Sequence, residues 1–330
     1  MAARLAASIA AGRHKAPVRG VGRRGRCDQH GAGIAEMMRM TASCRVLGFE
    51  LRLITPDCAL YYADANELDA LHSEPWWAFV WPGSFALAEL LQRRPELVRG
   101  KRVLDVASGC GISALASLQA GAAHVIANDI DPWSLRAVRL NLSQADAVWA
   151  HDAEAQGRLS CCGENLIGSS VADMATQGVG PVDVILAGDI CYEQPLAGQV
   201  RHWLASLLSR DQSPPPVVLI GDPGRAHFVD AFCPQSRNPK AARYFPDGSL
   251  TRHSLASERG EGGQLDQLEI VAVHRSQLSG LIADTSHGLH TATVWELRLK
   301  TVAARAAEEA DEGNDLGHTA ATPDAAYAQP

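Results

Sequence analysis

Aromatic residues make up only 5 % of this chain, no apolar run approaches membrane-spanning length, and positive charge is not in excess. A bilayer-spanning helix needs roughly 20 apolar residues, so a helical membrane anchor is excluded and no membrane partner is expected. General nucleic-acid binders are usually basic; a formal net charge of -7 argues against that class. The eight cysteines include no C-x-x-C pair, and with the twelve histidines they form no ladder of zinc spacing. No metal site is therefore expected, including at His274, His287 and His290, which lie near one another late in the chain. Free thiols are the natural reading, because chains of this length rarely depend on a disulfide framework.

Apolar residues make up 46 % of the 330 positions, enough for a sizeable core, and the length suggests one large decorated domain or two small ones. Residues 1–45 are read as a disordered basic extension, with order beginning near Val46. Arg4, Arg13, Lys15, Arg19, Arg23, Arg24 and Arg26 all precede the first acid, Asp28. Arginine-rich, acid-poor leaders are the composition of transit peptides. A mistaken upstream start and a plain basic tail are the alternatives, so the mitochondrial matrix is expected, or the cytoplasm if no transit peptide is present. Residues 46–300 are read as the folded domain, 233–266 as a surface insertion within it, and 301–330 as a disordered acidic tail.

The scarce aromatics are concentrated. Trp76, Trp77, Phe79 and Trp81 fall in six positions and are closed by Pro82-Gly83. Such clusters serve as core or as the edge of a ligand site. Both readings stay open here, with Trp81 the best edge candidate.

The stretch Lys101–Gly111, KRVLDVASGCG, reads as a strand, a glycine turn and a helix start. Gly109 and Gly111 permit a tight turn and a close ligand, while the helix start offers unpaired N–H groups and a positive dipole end. Gly109–Ala114 fits the dinucleotide fingerprint G-x-G-x-x-G/A. Asp105 favours S-adenosylmethionine (SAM) instead, because a carboxylate can pair with an ammonium but repels a pyrophosphate. Asp129 ends the second strand (His124–Ile130), where an acid can bind both ribose hydroxyls of either ligand. Ile130, its neighbour, belongs to the same cofactor set.

Asn165–Ser170 is read as a weak third strand, with Asp173 after it approaching an adenine amino group. Val182–Asp189 is the fourth strand and Val217–Ile220 the fifth, leading into Gly221-Asp-Pro-Gly-Arg225. Leu268–Val273 and Ala292–Leu299 make a late antiparallel hairpin. The expected fold is doubly wound α/β, a seven-stranded sheet ending in that hairpin. Such an ending marks the SAM-dependent methyltransferase variant, and dehydrogenases generally lack it.

Together, Pro75–Gly83, Gly100–Gly111, Ala127–Pro132, Gly188-Asp-Ile-Cys-Tyr192 and Leu219–Arg225 resemble the seven-strand lysine methyltransferases. Within them the likeness is to the mitochondrial branch, with its bacterial relatives, that methylates the β-subunit of electron transfer flavoprotein. It covers roughly Phe49–Ile220 and resumes at the last strands. The resemblance implies SAM as methyl donor and a lysine in a protein, probed first in that β-subunit, as acceptor. It matches Asp105, Ser108, Gly109 and Gly111 to the SAM motif, Asp129 to the ribose acid and Trp81 to a tryptophan before the first strand. Asp189 and Tyr192 match the D-x-x-Y signature of the lysine-methylating group. Ser84-Phe85 depart from the family's frequent Gly-Gln, and the segments before the third and sixth strands are long. Ribosomal-protein methylation and nicotinamide-dependent oxidation are the rival functions. A monomer is expected.

Overall fold

The computed structural model describes residues 37–62, 75–208, 214–232, 252–254, 268–285 and 290–299. Residues 1–36 of the expected basic extension, the acidic tail and all of the proposed insertion except residues 252–254 lie outside the described residues.

The described chain opens on a hairpin of β1 (Ala42–Val46) and β2 (Phe49–Leu53). Regular structure thus begins before the expected Val46: Met37 is fully buried, and Ala42 to Val46 pair residue by residue with Leu53 to Phe49. Helix α1 (Pro82–Arg93) follows the tryptophan stretch, and Pro82 occupies its first turn, where a missing N–H costs nothing. The central part alternates strand and helix. It comprises β3 (Arg102–Val106), α2 (Ile112–Gln119), β4 (His124–Asn128), α3 (Pro132–Ser143), α4 (Val148–Ala155), β5 (Leu159–Cys162), α5 (Val171–Thr176), β6 (Val184–Gly188), α6 (Leu196–Leu207), β7 (Val217–Asp222) and α7 (Ala226–Phe232). Then come β8 (Arg252–Ser254), β9 (Leu268–Gln277), α8 (Gly280–Thr285) and β10 (Thr291–Leu299).

The main sheet runs β5-β4-β3-β6-β7-β10-β9-β8. Strands β5, β4, β3, β6 and β7 pair in parallel, and β10 inserts antiparallel between β7 and β9. The seven-stranded sheet with a closing antiparallel pair is present, and three-residue β8 adds an eighth strand at the β9 edge. The third strand is corrected: it is β5, at Leu159–Cys162, and residues 165–170 form no strand. The β5 pairing continues past its end, where Asp129 N–H reaches the Cys162 carbonyl.

Side chains alternate across a strand, and the central strands are apolar on both faces, as a covered parallel sheet requires. Val103, Val125, Val184, Leu186 and Leu219 pack in one buried cluster with residues of α1 and α2. Leu104, Val106, Ile126, Ile185, Val218 and Ile220 pack in the opposite cluster with α6 and α7. A third cluster joins Trp77 and Phe79 to Ile54, Ala137 and Leu140, with Trp81 half-buried against it. The tryptophan stretch is thus core through Trp77 and Phe79 and edge through Trp81. Between β3 and β6 the chain order reverses, and ligands bind beyond the carboxyl ends of strands at such a switch point.

Candidate active site

Two carboxylates stand on adjacent strands at that switch point. Asp105 lies within β3, aligned with Leu186 of β6; Asp189 follows Gly188 at the end of β6.

Asp105 is 1 % exposed. Its two oxygens accept from the Ser113 hydroxyl, each at 2.8 Å, and the Ala114 N–H adds to this from the first turn of α2. Burial dominates nonetheless and pushes the Asp105 carboxyl up to about 7, with the Asp129 charge adding in the same direction. A buried acid raised in this way is one that gains from a cationic partner.

The turn after β3 is built for close approach. Ala107 (φ 53°), Gly109 (φ 54°) and Gly111 (φ 83°) all lie in the left-handed region. For alanine that conformation costs about 1 kcal/mol. A Cβ on Gly111 would meet Val138 at 2.7 Å, so α3 packs onto the turn only because the side chain is missing. The Ser108 hydroxyl is buried with no hydrogen-bond partner among the described residues. A buried polar atom left unsatisfied calls for a ligand or a water.

Asp129 and Ile130 continue from β4. Asp129 Oδ2 accepts from the Gly109 N–H at 3.0 Å and the Ser134 hydroxyl at 2.8 Å, and Oδ1 accepts from the Asp131 N–H at 2.9 Å. It therefore ties the glycine turn to the start of α3, and about one of its four acceptor sites, on Oδ1, stays open for a ligand hydroxyl. Ile130 is 72 % exposed beside it. Asn141 of α3 performs a similar tie: its Nδ2 donates to the Cys110 carbonyl and its Oδ1 accepts from the Arg52 N–H, each at 2.8 Å. The N-terminal hairpin is thereby fastened to the same turn.

Asp173 has a local task instead. Its carboxylate closes a capping box with Ser170 at the start of α5, accepting from the Ser170 N–H and hydroxyl. That exposed cap accounts for the side chain without a ligand, and the expected adenine contact is not carried further.

Asp189 is 6 % exposed and adopts φ 55°. Oδ2 accepts from the Gly83 N–H at the start of α1. Oδ1 accepts from Arg225 Nε at 2.9 Å and from its terminal nitrogen at 2.5 Å. Arg225 also lies over the Trp81 ring, 5.9 Å from its centroid, and Trp81 donates its indole N–H to the Trp76 carbonyl at 3.0 Å. The turn presenting Arg225 is clamped by Asp222, whose Oδ1 accepts from the N–H groups of Gly224 and Arg225 at 2.7 Å each. Asp222 Oδ2 is buried with no hydrogen-bond partner among the described residues. Burial, reinforced by the Asp189 charge, pushes the Asp222 carboxyl up to about 8.

Tyr192 is 41 % exposed at the mouth. Partial burial and the charges of Glu193 and Asp129 push its phenol up to about 12. Asp129 belongs to the glycine-turn half of the site, so its field on Tyr192 reaches across the crevice.

The structure thus brings together Asp105, Ser108, Gly109, Gly111, Asp129 and Ile130 around one turn, and Trp81, Asp189 and Tyr192 around the end of the neighbouring strand. Ser113, Ser134, Asp222 and Arg225 complete these groups and were not singled out as site residues by the sequence. No spacing rule signals them, because each works through a strand register or a helix packing. The buried acid, the unsatisfied Ser108 hydroxyl and the side-chain-free turn fit SAM.

A family model described as ribosomal protein L11 methyltransferase (PrmA) matches residues 86–164. The electron transfer flavoprotein beta subunit lysine methyltransferase of Danio rerio is 37 % identical over 197 residues, 60 % of this chain and 68 % of that protein. The Xenopus laevis protein of the same name is 40 % identical over 178 residues, covering 54 % of this chain and 63 % of its own. The Homo sapiens protein is 33 % identical over 215 residues, or 62 % of this chain and 74 % of its own. With the Danio rerio and Homo sapiens relatives matched at above 30 % identity over more than two thirds of their length, the chain belongs to the electron transfer flavoprotein beta subunit lysine methyltransferase family and is a SAM-dependent protein-lysine methyltransferase.

Proposed function

We propose that this chain methylates the ε-amine of a lysine in the β-subunit of electron transfer flavoprotein, with Asp189 and Tyr192 at the acceptor end of the site. The names of its relatives support the substrate. One observation carries the division of labour: Asp189, in a left-handed turn at the end of β6, is joined through Arg225 to the half-buried Trp81 and lies across the switch point from Asp105 and its glycine turn.

Asp105, Ser108, Gly109, Gly111, Asp129 and Ile130 would hold the methyl donor, with Trp81 at its acceptor side. Bound there, SAM supplies an electrophilic methyl on a sulfonium sulfur. The chain's own work is to bring a lysine nitrogen up in line and keep water away. Lysine titrates near 10.4 in water and must lose its proton to attack. An apolar mouth disfavours its charged form, and Trp81 with Tyr192 supplies that surface. Asp189 orients the amine by hydrogen bond. Alignment of two reactants contributes several kcal/mol of rate in general, so no strong general base is assigned.

The test is Asp189→Ala, with Asp189→Asn to preserve packing, incubated with the flavoprotein β-subunit and labelled SAM. Transfer should fall at least about 10²-fold while S-adenosylhomocysteine still raises the melting temperature. Substantial residual methylation by both variants would refute the assignment.

The arginine-rich, acid-free residues 1–27 support a mitochondrial matrix address as part of the same proposal. A fluorescent fusion of that stretch that stays in the cytosol would refute it.

A further inference from the structure

Asp189 reaches the reaction already paired. Arg225 places two nitrogens on Oδ1, at 2.9 and 2.5 Å, while Gly83 N–H takes Oδ2. The pair is well enclosed, with the Asp189 side chain 3 % and the Arg225 side chain 17 % exposed. Arg225 is not free to wander, because Asp222 holds its backbone N–H and that of Gly224, and its guanidinium packs over Trp81.

We infer that Arg225 is a positioning residue for methyl transfer: it keeps Asp189 neutralised, so that the acceptor lysine is held as a neutral amine rather than trapped as an ammonium. This rests on the assignment of Asp189 to the acceptor lysine. An unpaired carboxylate at that spot would be a good binder of lysine and a poor promoter of its chemistry. It would stabilise the protonated form, which has no lone pair for the methyl. A carboxylate whose charge is cancelled by a fixed guanidinium still accepts an N–H hydrogen bond from the amine, but it no longer rewards the extra proton.

Among the described residues, few charged and titratable groups face Asp189. From the β7–α7 turn come Arg225 and Asp222; from the segment after β6 comes Cys191. The start of α1 contributes the Gly83 N–H and the Trp81 ring, neither of which titrates. Burial and the nearby acids raise the Cys191 thiol far above its ordinary value, so it stays neutral. Burial, with the Asp189 charge, keeps Asp222 protonated at neutral pH. Arg225 is the cation that balances Asp189, and the Asp189 charge with its hydrogen bonds in turn holds it protonated against the cost of burial.

The decisive experiment measures kcat against pH for wild type, Arg225→Gln and Arg225→Lys, with the β-subunit of electron transfer flavoprotein as acceptor and saturating SAM. Stabilisation by S-adenosylhomocysteine is followed in parallel, to show that each variant is folded and binds the donor site. In Arg225→Gln the rising limb should move to higher pH by about one unit or more, with KM unchanged or lower. In Arg225→Lys, which keeps a positive charge, the limb should stay near the wild-type position even if kcat falls. A uniform loss at every pH in Arg225→Gln, with the limb in place, would show a merely structural role and overturn the inference. So would an Arg225→Lys limb displaced from wild type by about one unit or more, a result that is read even if Arg225→Gln does not fold. No lysine methylation by wild type would overturn the underlying assignment, a result distinct from an unshifted limb.

Discussion

Among the described residues Asp105 has no cationic partner: Ser113 and the start of α2 satisfy it by hydrogen bonds, and burial still raises it to about 7. The carboxyl is therefore largely protonated below pH 7 in the empty site. A donor molecule's ammonium favours the ionised form, so binding below pH 7 must first displace a proton. The expected outcome is a larger thermal shift by S-adenosylhomocysteine at pH 8 than at pH 6. Asp105→Asn should flatten that dependence and weaken binding at least about tenfold, as the loss of one charge-assisted hydrogen bond implies. Titration calorimetry at the two pH values reads both numbers. A wild-type affinity that does not change between them would show that Asp105 does not carry the ammonium.

The elements meet at the acceptor end through glycines. A Cβ on Gly221 would lie 2.2 Å from the Gly83 carbonyl oxygen, and one on Gly188 would lie 2.3 Å from Ser84 Oγ. The first turn of α1 thus rests directly on the ends of β6 and β7, which brings the Gly83 N–H onto Asp189. Gly221→Ala sets a methyl against backbone, which cannot swing aside. It should destabilise the chain by about 2 kcal/mol or more and lower methyl transfer further than the stability loss explains, because Gly83 and Asp189 separate. Urea unfolding and initial rates measure the two effects. Strands β3, β4, β6 and β7 were legible in the sequence because a parallel strand covered on both faces reads as one apolar run; β6 is buried at all five positions. The glycine turn and its acids were legible because they are local. Strand β5 was not, since three of its four residues are only half-buried and it stands at the sheet edge. The joining of Asp189 to Arg225 was also hidden. It depends on the register that sets Gly188 opposite Gly221, and so brings the two strand ends side by side across 36 residues of sequence.

At the scale of the whole molecule, the buried acids Asp105 and Asp222 set how stability responds to pH. Both have folded-state values, about 7 and about 8, far above the ordinary 3.8. A raised carboxyl means that the folded chain binds more protons than the unfolded chain between those values. The slope of unfolding free energy with pH follows the unfolded minus the folded proton count, so it is negative here. Stability contributed by these two groups is greatest below about pH 4, falls as pH rises, and levels off above about 8. Glu89 has the opposite sign: hydrogen bonds from Ser276, Arg93 and His274 outweigh its burial and lower it, so its contribution is lost in acid. The donor-free chain should therefore show its highest urea midpoint on the acid side of neutrality, near pH 5, and a steady decline to pH 8. Asp105→Asn and Asp222→Asn should each remove part of that decline. Saturating S-adenosylhomocysteine should remove the Asp105 part alone, because its ammonium supplies the partner which the empty site lacks. A flat midpoint between pH 5 and 8, or one that S-adenosylhomocysteine raises equally at both ends, would contradict this account of the two buried acids.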